Sequence, residues 1–136
     1  MDLKQIVAVS GMPGLYELVN TRNNGIMVKD FDNGKVRFVS MRRHQFTPLG
    51  TVAIYTYEDA TELDKIFKKM KELEEQNPVP NIKENSAVIK KYFEIILPEF
   101  DKGRVHVSDI KKVIKWYNFL KERDLLTFDT KGDEEE

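Results

Sequence analysis

Hydrophobic and polar positions change their period partway along the chain. In the first sixty residues the apolar positions come in short runs, GLYELVN (14–20), GIMVKDF (25–31), KVRFVS (35–40) and TVAIYTY (51–57). Asn23-Asn24-Gly25, Asp32-Asn33-Gly34 and a looser connection from Met41 to Leu49 separate them. Short β-branched and aromatic runs bounded by Asn-Gly predict antiparallel strands joined by hairpins. Residues 3–9 (LKQIVAV) fit either a strand or one or two helical turns. Ser10-Gly11-Met12-Pro13-Gly14 then imposes a turn, through two glycines free to take positive φ and a proline with φ fixed. Four or five such strands predict a small SH3-like barrel or curled sheet, with an open meander covered by a helix as the alternative.

Helical spacing replaces this pattern after Tyr57. Asp59 and Glu62 stand at capping-box spacing, and Leu63, Ile66, Phe67, Met70 and Leu73 follow on one face to about Gln76. Asn77-Pro78-Val79-Pro80-Asn81 cannot continue a helix, because residues before proline are pushed to extended conformations. The predicted organisation is therefore a sheet domain plus helix (1–76), a linker (77–85), a helical hairpin domain (86–130) and a disordered acidic tail (131–136). The first helix of the hairpin, SAVIKKYFEIIL, carries apolar residues round more than a third of its circumference and ends at Pro98. In the second, Ser108 and Asp109 offer caps, Ile110, Val113, Ile114, Tyr117 and Leu120 form one stripe, and Leu125, Leu126 and Phe128 close the bundle. So small a hairpin buries little core by itself, which predicts that it leans on the first half or on another chain. The fold class is α+β.

Composition narrows the chemistry. The chain has 136 residues, no cysteine and a formal net charge of −1, which removes disulfides and thiolate metal sites. No apolar run approaches the roughly 20 residues of a membrane span, and the start has no signal-peptide pattern, so a cytoplasmic protein without membrane contact is expected. Residues 1–58 carry seven Lys/Arg against five Asp/Glu, and 86–130 carry nine against seven; neither is the strong excess of a dedicated nucleic-acid binder. Counted from Asp101, a calcium loop would need oxygen donors where Gly103 and Val105 stand and glycine where His106 stands. Gly11 to Gly14 lacks the further glycine and Lys-Ser/Thr of a phosphate loop. The two histidines, His44 and His106, have no evident nucleophile partner, and no carboxylate pair sits in an apolar context. A non-enzymatic protein without metal or cofactor is expected.

Two clusters suggest contact with a partner. Arg37, Arg42, Arg43 and His44 gather at the end of a strand, where small barrels present loops. Lys112, Lys115, Trp116 and Phe119 form a shoulder beside the buried stripe of the last helix, where aromatic faces next to lysines stack bases or receive a partner helix. The leading expectation is a binding protein associated with nucleic acid or a nucleoprotein; the alternative is a protein-interaction or self-associating scaffold module, and hence a homo-oligomer.

The segments SGMPGLYELV (10–19), GTVAIYTY (50–57), YFEIILPEFDKGRVHVSDIKKVIKWYNFL (92–120) and Phe128-Asp129 are similar to those of a bacterial family without assigned activity. The resemblance covers about half of the chain and implies an SH3-like first half followed by a helical second. It implies no reaction and no functional residues.

Overall fold

The computed structural model describes residues 3–126, so Phe128 and the acidic tail at 131–136 lie outside the described residues. The chain divides into two compact units, one ending at Val52 and the next beginning at Ala53. This differs from the boundary expected at residue 76. The helix after Glu62 belongs with the later helices, and the Asn77–Asn85 stretch lies inside the second unit rather than between the two. The prolines end a helix there without ending a domain.

The first unit is a five-stranded antiparallel sheet made of β1 (Ile6–Val9), β2 (Leu15–Arg22), β3 (Gly25–Asp30), β4 (Val36–Ser40) and β5 (Phe46–Pro48), in the order β4-β3-β2-β1-β5. Residues 3–9 divide between the two readings, a 3₁₀ turn at Leu3–Gln5 and then β1. The strand closing the sheet beside β1 is β5, three residues inside the stretch expected to be a loose connection. TVAIYTY, expected here, instead begins in a 3₁₀ turn (Leu49–Thr51) and supplies a strand to the second unit. Val7, Val9, Tyr16, Ile26, Val28 and Val39 pack as one buried cluster, with Met12, Leu18 and Phe46 against it. Burying one such aliphatic side chain contributes about 1.5–3 kcal/mol. An irregularity between Leu18 and Asn20 in the β2–β3 ladder leaves Val19 as a surplus residue.

The two hairpin turns use their glycines differently. At Asp32-Asn33-Gly34 the Asp30 Oδ1 accepts from the N–H groups of Asp32 (2.7 Å) and Asn33 (3.2 Å), and Gly34 takes φ +70°. At Asn23-Asn24-Gly25 the glycine answers to space. A Cβ at Gly25 would sit 2.1 Å from the Val39 carbonyl oxygen and 2.7 Å from the Phe38 ring.

The second unit contains the hairpin β6 (Ala53–Tyr55) and β7 (Ala60–Glu62), then α1 (Leu63–Glu72), α2 (Ser86–Ile96) and α3 (Val107–Glu122). The capping box expected at Asp59 and Glu62 does not form. The hairpin draws residues 60–62 into β7, the Thr56 N–H donates to the Asp59 carbonyl (2.8 Å), and α1 begins at Leu63 without a side-chain cap. Asn85 caps α2 by accepting from the Val88 N–H at 3.0 Å. α3 begins one residue before Ser108, with His106 as N-cap; Asp109 Oδ2 accepts from the His106 N–H at 2.9 Å. At its other end Asp124 (φ +57°) permits the bonds Asp124 N–H to Lys121 O (3.0 Å) and Leu125 N–H to Leu120 O (2.8 Å), a Schellman ending.

The stripe read on α3 is the buried one, since Ile110, Val113, Ile114, Tyr117 and Leu120 are all within 1% of full burial. Leu63, Ile66, Phe67 and Met70 of α1 and Ile89, Tyr92, Phe93 and Ile96 of α2 are buried with them. Val88 and Ile95, counted in the apolar face of α2, are exposed. The Phe67 and Tyr117 rings lie 6.0 Å apart, and Phe93 meets Phe100 edge-on at 5.1 Å.

The α2–α3 loop is fastened to β6. Asp101 N–H donates to Tyr55 O (2.8 Å), Arg104 Nη2 donates to Thr56 O (3.2 Å), and the Arg104 guanidinium lies 4.3 Å over the Tyr55 ring. The Arg104 guanidinium and the Gly103 N–H hold the Asp101 carboxyl below the usual range, and these same bonds engage both of its oxygens.

Beside α3, the Glu74 carboxylate accepts from the Lys121 ammonium and from the Tyr117 hydroxyl (3.1 Å). The Lys121 bond is the first cause of its lowered pKa. Burial, and then the bond to Glu74, raise the Tyr117 hydroxyl.

Two outcomes follow. Gly25→Ala should lower the stability of the first unit by about 2 kcal/mol, because the Val39 carbonyl is backbone and cannot step aside; urea unfolding followed through amide exchange in β3 and β4 measures it. A lowered carboxylate pKa contributes stability above the ordinary glutamate range that is lost as pH falls through the lowered value. Glu74→Gln should therefore cost about 0.5–1 kcal/mol at pH 7, and the gap from wild type should narrow as the pH falls below the ordinary glutamate range and close once it has passed the lowered value, in urea melts at successive pH values.

Candidate partner-binding groove

The structure brings Arg37, Arg42, Arg43 and His44 into one open groove of about 660 Å³ beside β4, in the first unit. Met12, Phe38, Val39 and Ser40 complete its lining, which contains no carboxylate. Local bonding explains the assembly. After β4 the chain turns back on itself, with the N–H groups of Arg43 (3.3 Å) and His44 (3.2 Å) both donating to Ser40 O and the Arg42 N–H donating to Ser40 Oγ (3.1 Å). His44 Nδ1 donates to Ser10 O at 2.6 Å, which fixes its tautomer and ties the turn to the β1–β2 loop. Gln45 N–H donates to Ser10 Oγ (2.8 Å), and Arg37 Nη2 reaches Met12 Sδ at 3.5 Å. His44 is thus held in a positioning role, and the three arginines supply the charge.

β4 is an outer strand of the sheet, paired on one side by β3. The flanking bonds Asp30 N–H to Lys35 O (2.9 Å) and Met41 N–H to Asn24 O (3.0 Å) set the phase of the ladder. With Val28 opposite Arg37 and Ile26 opposite Val39, it is Arg37 and Val39 that exchange bonds with β3. The backbone N–H and C=O of Val36 and Phe38, and the Ser40 N–H, therefore point away from the sheet. Val36, Phe38 and Met41 are large apolar side chains exposed by 49%, 43% and 57%. The sequence reading missed Phe38 and Met12. The signal for Phe38 was its alternation with Arg37 and Val39, which puts one apolar side chain too many on a short strand.

The second cluster does not assemble as expected. Lys115 and Phe119 line an open groove of about 560 Å³ with Val79, Pro80, Ile82 and Arg123, all in the second unit. Lys112 is exposed and Trp116 half-buried, and neither lines that groove. The Arg123 guanidinium stacks on the Phe119 ring at 3.6 Å and donates to the Phe119 carbonyl at 3.1 Å, so one face of the ring is already used.

Among the described residues no three His, Asp or Glu side chains gather as a metal site, and no helix is long and apolar enough to cross a membrane. The electrostatic contrast lies between the units. By sequence, residues 2–52 carry seven Lys/Arg against four Asp/Glu, and residues 53–136 carry fifteen against nineteen.

The division at Val52 coincides with two family models. Residues 3–49 match the Domain of unknown function DUF5606, and residues 52–120 match the Domain of unknown function DUF6852, which spans just over half of the chain. The chain belongs to this latter family and carries the former domain ahead of it. A solution NMR structure from Bacteroides vulgatus, a structural genomics target, is similar at 31% identity and a TM-score of 0.73, over 93% of this chain and 91% of that one. Comparison with curated proteins finds no match. The expected bacterial family is thereby found, with the α+β architecture.

Arg42 and Arg43 are exposed, and the side chains of Ser40, His44 and Ser10 that hold their turn are left intact by changing them. The double change Arg42→Glu and Arg43→Glu should shift stability by no more than about 0.5 kcal/mol, read from urea midpoints of the variant and wild type.

Proposed function

We propose that the protein is a non-enzymatic binding module of the cytoplasm whose first unit, an SH3-like curled sheet, grips an anionic stretch of a macromolecular partner in the groove at β4. The observation that carries this reading is the convergence of Arg37, Arg42 and Arg43 on one groove without a lining carboxylate. Guanidinium groups hold carboxylates and phosphates in paired hydrogen bonds, so the groove suits either anion. A protein partner is the reading favoured here, because the outer edge of β4 offers both backbone donors and acceptors. A nucleic-acid partner is supported by the same arginines together with the exposed Phe38 ring, to which a base stacks. Self-association through Trp116 and Phe119 has less support, since Trp116 is half-buried and Arg123 covers a face of Phe119.

Affinity capture from native lysate, with and without nuclease, tests the proposal. Wild type should retain partners that the Arg42→Glu and Arg43→Glu double variant releases, and 0.5 M salt should release them as well. Retention of every partner by the charge-reversed variant overturns the anionic-groove reading. Loss of all partners on nuclease treatment assigns the groove to nucleic acid.

A further inference from the structure

We infer that the outer edge of β4 is a docking strand, to which an extended segment of a protein partner with alternating acidic and apolar residues adds as a sixth strand. The inference rests on the anionic-partner reading above and gives that partner a conformation and a sequence pattern. Three observations carry it. The ladder phase turns the N–H and C=O groups of Val36 and Phe38 outward, at the spacing that an added strand uses. Soluble proteins usually blunt such an edge with charge, proline or cover. Here Lys35 and Arg37 supply charge on one face only, and the other face carries exposed Val36 and Phe38. Strand alternation then puts Val36 and Phe38 on one face and Lys35 and Arg37 on the other, with Arg42 and Arg43 in the turn beyond.

The occupant follows from complementarity. An added strand would set every second side chain beside Lys35 and Arg37 and the intervening ones beside Val36 and Phe38, so acidic and apolar residues should alternate with period two. A second copy of this chain, pairing through the same edge, would set Lys35, Arg37, Arg42 and Arg43 against their own like charges. A nucleic-acid strand satisfies the arginines, but its phosphates have no donors for the outward carbonyls of Val36 and Phe38. A peptide backbone supplies donors and acceptors in turn.

The test uses the full chain and a labelled, capped octapeptide of alternating glutamate and valine. Its comparators are a peptide of the same composition with the glutamates and valines in two blocks, an alternating peptide N-methylated on every second amide in each of the two possible phases, and a single-stranded oligonucleotide octamer. Fluorescence anisotropy reads affinity, and amide exchange reads the protein backbone. The alternating peptide should bind. The block peptide and one N-methylated phase should bind at least about tenfold more weakly, the equivalent of about 1.4 kcal/mol. New exchange protection should appear at the amides of Val36, Phe38 and Ser40. Val36→Pro, which removes an outward N–H at the first position of an edge strand, should lower affinity while leaving the β3–β4 ladder protected. Equal binding of all peptides without new protection at Val36 and Phe38 overturns strand addition and leaves the arginine groove standing. Binding of the oligonucleotide alone overturns strand addition in favour of nucleic acid. Binding of no probe, to wild type shown folded by its ladder protection, overturns both readings.

Discussion

The register between β3 and β4 decides which atoms the first unit presents to its surroundings. Shifting it by one residue would turn Val39 out of the core cluster and turn the outward backbone groups of Val36 and Phe38 into the sheet. Two local features hold it. The Asp32-Asn33-Gly34 turn is clamped by Asp30 at one end of the hairpin, and Gly25 at the other lets the Val39 carbonyl and the Phe38 ring come closer than any side chain would allow. Arginines on the turn after β4 acquire a fixed place relative to the strand because Ser40 accepts from the N–H groups of Arg42, Arg43 and His44.

The second unit is organised round the buried face of α3, and its loop chemistry shows why a helix-loop-helix shape need not bind a cation. Asp101 stands where a calcium loop would begin. Its oxygens are engaged by Gly103 and Arg104, and Arg104 brings its own positive charge to the spot. The same arginine stacks on Tyr55 and bonds to Thr56, so the loop serves to attach two helices to a β-hairpin.

Much of this was legible in the chain, and the failures have identifiable causes. The α3 stripe and the apolar face of α1 were read correctly because several helical turns repeat the same spacing. The first three hairpin-linked strands were read from their Asn-Gly turns. β5 was missed because three residues, Phe46-Thr47-Pro48, carry no alternation to detect. TVAIYTY was recognised as strand-forming but given to the wrong unit, since periodicity says which residues pair and not with whom. The proline stretch at 78–80 was taken as a boundary because helix termination and domain termination look alike in sequence. At the groove, a basic cluster close in sequence made Arg37, Arg42, Arg43 and His44 visible. Met12 was invisible, because only tertiary folding brings the β1–β2 loop to Arg37.

Val19 has a consequence of its own. As the unmatched residue of β2 it adds length to one rail of the ladder and none to the other, and a ladder with unequal rails must bow. A chain that omitted it would keep every partner pairing on either side and lose the bow. The arc between the β1–β2 loop and the far strand would then open, and the arginines would be splayed across a flatter surface.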